Sequence, residues 1–306
     1  MLMYSRRRSA TTSESDAFSA ALNARLCRAF LFMGRILLFR VLSVLLSLLL
    51  IGGCGAPALQ KLAAQLPEQH RLLTLEAPPF ALLAAVKQPT APATRLRVYI
   101  EGDGHAWVRP NQPSLDPTPR SHWFARLAMD DSEPAAWLGR PCQYLRNDNC
   151  RIEHWTDGRF SQEVISAMDQ ALTQLKQLHG SRELELVGYS GGAAVALLLA
   201  AQRDDVVAVQ TLAGNLSPGL WTAQLGLSPL VRSLDPLSER QRLQELPQRH
   251  LVGGADTVVP PALAREWHRQ LGYSRCVEVV ELPGLGHEGS EWSEVWRRYW
   301  REPLRC

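Results

Sequence analysis

Gly188-Tyr189-Ser190-Gly191-Gly192 sets one serine between glycines two residues before and two residues after it. A hydroxyl is a poor nucleophile at neutral pH. It needs a base, and the base needs an acid to orient it. Both residue types follow downstream in glycine-rich segments. Asp256 stands in Gly253-Gly254-Ala255-Asp256-Thr257, and His287 in Pro283-Gly284-Leu285-Gly286-His287-Glu288-Gly289. Ser, Asp, His is one of the chain orders in which a triad is built. The chemistry would be attack of Ser190 on a carbonyl, with His287 as base and Asp256 as its orienting carboxylate. Asp235 is a second choice of acid. Glu288 adjoins the histidine, which makes it a poor orienter. His105 and His154 lie in loops that reach either the site or the surface.

Such a serine must sit where a strand reverses into a helix, because the reversal lifts its oxygen clear and the glycines make room for it. The flanking patterns supply both elements. Residues 184–187 read as a strand and residues 191–202 as an Ala/Leu-rich helix. Strands are also expected over 71–76, 80–86, 95–101, 135–138, 206–212, 249–253 and 277–282. Helices are expected over 121–129, 161–178, 261–271 and 290–299, with Ser161 as N-cap and Gly180 as stop. Residues 105–120 carry four prolines and read as an ordered loop. Residues 139–160 read as a polar loop, and 215–247 as irregular chain with short helices. Alternating strands and helices imply an α/β fold, a mostly parallel central sheet with helices on both faces. Asp256 and His287 then follow successive strands at the edge that carries Ser190.

Two N–H donors are needed for the oxyanion. Gly191 supplies one. The turn after 95–101, Glu101-Gly102-Asp103-Gly104, is expected to supply the other, from Asp103 or, as second choice, Gly104. On these residues the chain resembles the α/β-hydrolases over about residues 70–300. The resemblance implies an eight-stranded, mostly parallel sheet, cofactor-free acyl transfer, and an active site at the carboxyl ends of the strands; the spacing of Cys and His, read by itself, offers no metal site. It departs at Glu101, where the family usually has His, and at Asp103, whose charge would repel an oxyanion unless it turns away or pairs with a cation such as Arg109.

Residues 1–53 form a different segment. Seven arginines face only Glu14 and Asp16, a net charge of +5, whereas the remainder carries 26 basic and 28 acidic residues, net −2. Arg35 and Arg40 precede an apolar run over 41–51, then Gly52 and Gly53. That describes a secretory signal peptide, and the run is too short to span a bilayer. Residues 1–32 are too polar for such a leader, so translation is expected to begin at Met33. Ile51-Gly52-Gly53-Cys54 resembles the lipobox of bacterial lipoproteins. It implies cleavage before Cys54, lipidation of Cys54, and a chain anchored on a membrane in the cell envelope, facing the periplasm. Residues 54–70 would be a tether or short helix, and 71–306 a single domain.

Four cysteines follow Cys54. An even number in an exported chain suggests two disulfides. Three pairings exist, of which Cys142–Cys150 and Cys276–Cys306 are favoured.

Composition excludes other classes. The 306 residues are 46% hydrophobic and 21% charged, with net charge +3, too apolar for a disordered chain. The positive balance belongs to the leader, so nothing points to nucleic acid. Trp292, Trp296 and Trp300 recur at helical spacing and read as core, while Trp107 and Trp123 belong to a lid or to scaffold. The leading function is a serine hydrolase of carboxylic esters or thioesters acting on a small-molecule acyl substrate. A lipid-anchored binding scaffold and an acyltransferase are the alternatives.

Overall fold

The structure, a computed structural model, describes residues 56–89, 91–304 and 306. The expected leader, the expected Met33 start and the expected lipidation site Cys54 lie outside the described residues.

The chain enters through helix α1 (Ala56–Ala63), whose Leu62 is fully buried. This stretch therefore packs onto the body and is not a free tether. Strands β1 (His70–Ala77) and β2 (Phe80–Lys87) pair antiparallel around Pro78-Pro79. Strand β3 (Arg95–Ile100) follows. Its Leu96, Val98 and Ile100 face one side of the sheet, and Tyr99 faces the other. The proline-rich stretch expected as loop contains a small hairpin, β4 (Trp107–Arg109) with β5 (Gln112–Pro113).

Helix α2 (Trp123–Met129) and strand β6 (Ala135–Leu138) come next. Residues 139–160 are not the solvated loop that their polarity suggests. Arg140, Cys142, Gln143, His154, Trp155 and Arg159 are all buried. A disulfide between Cys142 and Cys150 closes the segment on itself.

Helix α3 (Gln162–His179) begins at Ser161, whose hydroxyl accepts the Val164 N–H at 3.4 Å, and ends at Gly180 with φ 61°. Strand β7 (Glu183–Tyr189) leads into helix α4 (Gly192–Gln202), apolar on every side and buried throughout its first nine residues. The remaining elements are β8 (Val206–Leu212), α5 (Pro218–Leu225), α6 (Arg240–Glu245), β9 (Gln248–Gly253), α7 (Pro261–Leu271), β10 (Val277–Leu282) and α8 (Glu291–Tyr299). A second disulfide joins Cys276, just before β10, to Cys306.

Eight strands form one sheet in the order β1-β2-β6-β3-β7-β8-β9-β10. From β6 to β10 every neighbour is parallel, and only β1 and β2 run against their partners. One core layer packs α3, α4, α6 and α7 on the first face. The other packs α1, α2 and α8 on the second, where Trp292 and Trp296 are fully buried and Trp300 nearly so. The stripe of tryptophans is core. Parallel strands present all their carboxyl ends at one edge, where open α/β sheets bind ligands.

Candidate active site

Ser190 follows β7 with φ 50°, a left-handed conformation that a serine adopts only under constraint. The constraint is visible on both sides. A Cβ on Gly188 would lie 2.5 Å from Ala193 Cα, and one on Gly192 would lie 2.3 Å from the Ile100 carbonyl oxygen. Any larger residue would push the turn off β3 and α4. The Ser190 N–H donates to the Leu212 carbonyl at 3.1 Å, and its own carbonyl accepts the Asn215 N–H at 3.0 Å. The strained turn is thus tied to the end of β8.

The loop after β10 brings His287 over this turn. Ser190 Oγ stands 3.0 Å from His287 Nε2, and His287 Nδ1 stands 2.8 Å from Asp256 Oδ2. Asp256 occupies the turn after β9 and is buried. Its other oxygen, Oδ1, accepts the N–H groups of Val258 and Val259, both at 2.8 Å. With Oδ1 taken, Oδ2 faces the imidazole. Nδ1 then carries the proton and donates a hydrogen bond to Asp256, which leaves the Nε2 lone pair for the serine hydroxyl. The three residues named from sequence therefore meet in one hydrogen-bonded line.

Gly191 and Asp103 also meet. Among the described residues neither backbone N–H has a hydrogen-bond partner. A Cβ on Gly191 would lie 2.1 Å from Asp103 Oδ1, so the acidic side chain packs directly on the residue after the serine. The turn itself is braced. Glu101 accepts the Gly102 N–H at 2.9 Å and the Trp137 indole N–H at 3.0 Å. Gln143 donates to the Gly102 carbonyl at 2.9 Å. Burial pushes the Glu101 carboxyl up to about 7, against the opposing pull of those two hydrogen bonds.

Asp103 pairs with cations, but not with Arg109, which is exposed on the β4–β5 hairpin. Arg159 Nη1 donates to Oδ2 at 2.6 Å and Arg140 Nη1 to Oδ1 at 3.3 Å. Both arginines come from the segment expected to be solvated loop. Burial would raise the Asp103 pKa. The charges of Arg159 and Arg140 outweigh it and hold the carboxyl below the usual range. No spacing rule marked these arginines. Their only sequence signal was positive charge beside a cysteine pair that folds the segment inward.

The rival residues have other duties. Asp235 caps a short helical turn by accepting the Leu237 N–H at 2.9 Å, and its other oxygen accepts from the Ser217 hydroxyl at 2.6 Å and the Gly219 N–H at 2.8 Å. His154 is buried against Phe80 and contacts Glu163 Oε2 at 3.1 Å, away from the cavity. His105 does line the cavity, with Arg120 Nη2 2.7 Å from its Nε2. Glu288 lies at the mouth and is exposed.

A cavity of about 410 Å³ opens over Ser190. Trp107, Trp123, Tyr189 and Trp221 supply its aromatic walls, so both candidate lid tryptophans border the site. A larger hollow, about 660 Å³, lies at the opposite edge of the sheet, among Arg95, Arg97, Glu183 and the C-terminal tail. It holds none of the three aligned residues, so its size does not make it the reaction centre.

No protein-family model matches the chain, and no curated protein does. Solved structures do. Est1E from Butyrivibrio proteoclasticus superposes with a TM-score of 0.54 at 14% identity, covering 76% of this chain and 98% of its own. A putative dienelactone hydrolase from Klebsiella pneumoniae gives 0.53 at 16% identity, covering 75% of this chain and 95% of its own. A cold-adapted esterase from an Arctic intertidal metagenomic library gives 0.55 at 16% identity, covering 77% and 94%. Similarity at this level speaks to architecture. Eight strands in this order, a serine turn after β7, and neighbours of this kind show that the chain has the α/β-hydrolase fold.

Proposed function

We propose that this chain is a serine hydrolase that cleaves carboxylic esters or thioesters through an acyl-enzyme. The unbroken line from Ser190 Oγ through His287 to Asp256, with the serine on a strained turn, carries this reading. Ser190 Oγ bonds to the substrate carbonyl carbon as its proton passes to His287 Nε2. Asp256 stabilises the imidazolium and does not itself take the proton. The Gly191 and Asp103 N–H groups receive the oxyanion. His287 then protonates the departing alkoxide or thiolate as the carbon–heteroatom bond breaks. Water, deprotonated by His287, attacks the acyl-enzyme carbonyl; as the bond to Ser190 Oγ breaks, His287 returns that proton to the serine and the acid leaves.

In sequence alone, the acidic turn was the feature that kept a non-catalytic scaffold among the alternatives. The two arginines on Asp103 remove that objection, because the carboxylate charge is already compensated. A fluorophosphonate probe tests the reading. Wild-type protein labels at Ser190 and Ser190→Ala does not; folded wild-type protein that resists labelling would sink it. Added alcohol or amine acceptors that divert the acyl group would point to the acyltransferase alternative.

Export and anchoring through Cys54 are part of the same proposal. Two disulfides, Cys142–Cys150 and Cys276–Cys306, support an oxidising compartment such as the periplasm. Metabolic labelling with a fatty acid that Cys54→Ala abolishes is the expected result.

A further inference from the structure

Among the cavity groups that the triad and the oxyanion donors leave unused, Arg159 is the one most firmly held. The Arg159 side chain is 5% exposed and lines the cavity beside Ser190 and Gly191. Nη1 donates to Asp103 Oδ2 at 2.6 Å, and Nε donates to the Thr156 carbonyl at 2.6 Å. Nη2 has no protein partner among the described residues. The Trp221 ring centroid lies 5.8 Å from its Cζ, covering one face of the guanidinium. Held at three points, this side chain has already lost its rotamer freedom, so a ligand that takes Nη2 orders little else.

The local charge count favours an anion. Arg140 and Arg159 share the single carboxylate of Asp103, which leaves one positive charge over. Arg120 adds another cation on the cavity wall beside His105. Of the other acids nearby, Asp256 is bound to His287 Nδ1. Glu101 is buried with both oxygens engaged by N–H donors and its carboxyl pushed up to about 7, so that it is only partly charged at neutral pH. Glu288 is exposed at the mouth. The Arg159 side chain is buried, so its surplus charge is screened less than a charge at the surface. An alkyl acyl chain would gain nothing from it and would strand the guanidinium in apolar contact.

We infer that the substrate is an anionic ester, with a carboxylate or phosphate a few atoms from the scissile carbonyl, and that Arg159 reads that charge. This rests on the hydrolase reading above. The pair 4-nitrophenyl hydrogen glutarate and 4-nitrophenyl butyrate tests charge on the acyl side. The pair acetoxyacetate and ethyl acetate tests it on the alcohol side. Wild-type kcat/KM should favour the anionic member of at least one pair by roughly tenfold or more, mainly through KM. Arg159→Gln should erase that ratio, and Arg159→Lys should keep part of it. Equal rates within both pairs, or a preference that survives Arg159→Gln, would overturn the inference. Fluorophosphonate labelling of Ser190 keeps this apart from failure of the hydrolase reading. If no label is taken up, glutarate binding by calorimetry decides instead. Binding that Arg159→Gln abolishes supports the anion site, and absence of binding to wild type overturns it.

Discussion

Arg159 Nη1 reaches Asp103 Oδ2 at 2.6 Å across 56 residues of chain, and that contact turns an acid in the turn after β3 into a counter-ion. The carboxylate packs on Gly191 at the same time. The acidic turn and the buried arginines are one arrangement.

Replacing Asp103 with Asn should expose the dependence. Arg140 and Arg159 are each 5% exposed and would keep their charge without a compensating anion. Breaking one partner out of such a group costs roughly 3 kcal/mol. Urea unfolding at pH 7 should show that loss. The folded pKa of Asp103 lies below its ordinary 3.8, so the pair stabilises above that pH and fades as pH falls through the folded value. The gap between wild type and Asp103→Asn should therefore close in acid.

Ser190 offers a test of strain against function. Ser190→Gly should abolish turnover and raise stability by about 1 kcal/mol, because glycine accepts φ 50° without cost. Ser190→Ala should abolish turnover, a fall of roughly 10⁴-fold or more, and bring no such gain. Thermal melts of the two variants make the comparison.

Asp256→Asn should lower kcat by about 10⁴-fold with little change in fold. The Asn oxygen would stay on the Val258 and Val259 N–H groups, which pin that side of the carboxylate. Its NH₂ would then face His287 Nδ1 and force the proton onto Nε2, the wrong tautomer for accepting from serine. Steady-state kinetics, with the imidazole tautomer read by NMR, would show both effects.

Glu101 should make stability fall with rising pH. Its folded pKa of about 7 lies above the ordinary 4.5, so its contribution is whole below 4.5 and is lost as pH rises to 7. A shift of that size corresponds to roughly 3 kcal/mol. Glu101→Gln removes the titration. Denaturation series should show the variant gaining on wild type across that window and holding constant above it.

The Cys276–Cys306 bridge closes a loop of 30 residues. Its loss, through Cys306→Ser with Cys276→Ser, should cost roughly 3 kcal/mol by loop entropy. The melting temperature should drop, while Ser190, remote from that end of the sheet, should keep its reactivity toward a fluorophosphonate.

The sequence by itself determined the alternation of strands and helices, the serine turn and the order of the three aligned residues. It did so because these features are local. Hydrophobic period fixes each element, and glycine two residues either side of Ser190 reports a close approach that no larger residue permits. Asp256 and His287 were legible because each follows a recognisable strand.

The tertiary structure alone decided which charges are buried together. Arg97 alternates along β3 as an outward polar residue would, yet it is buried, bound to Asp131 at 2.7 Å and Glu185 at 3.1 Å. Arg140 and Arg159 sit in a segment whose polarity reads as solvent-exposed, and Arg109 is nearer to Asp103 in sequence. Burial of a charge depends on the sum of distant partners that compensate it, and no local pattern carries that sum. The fold brings residues 140 and 159 to residue 103, and only there does the acidic turn acquire its counter-charge.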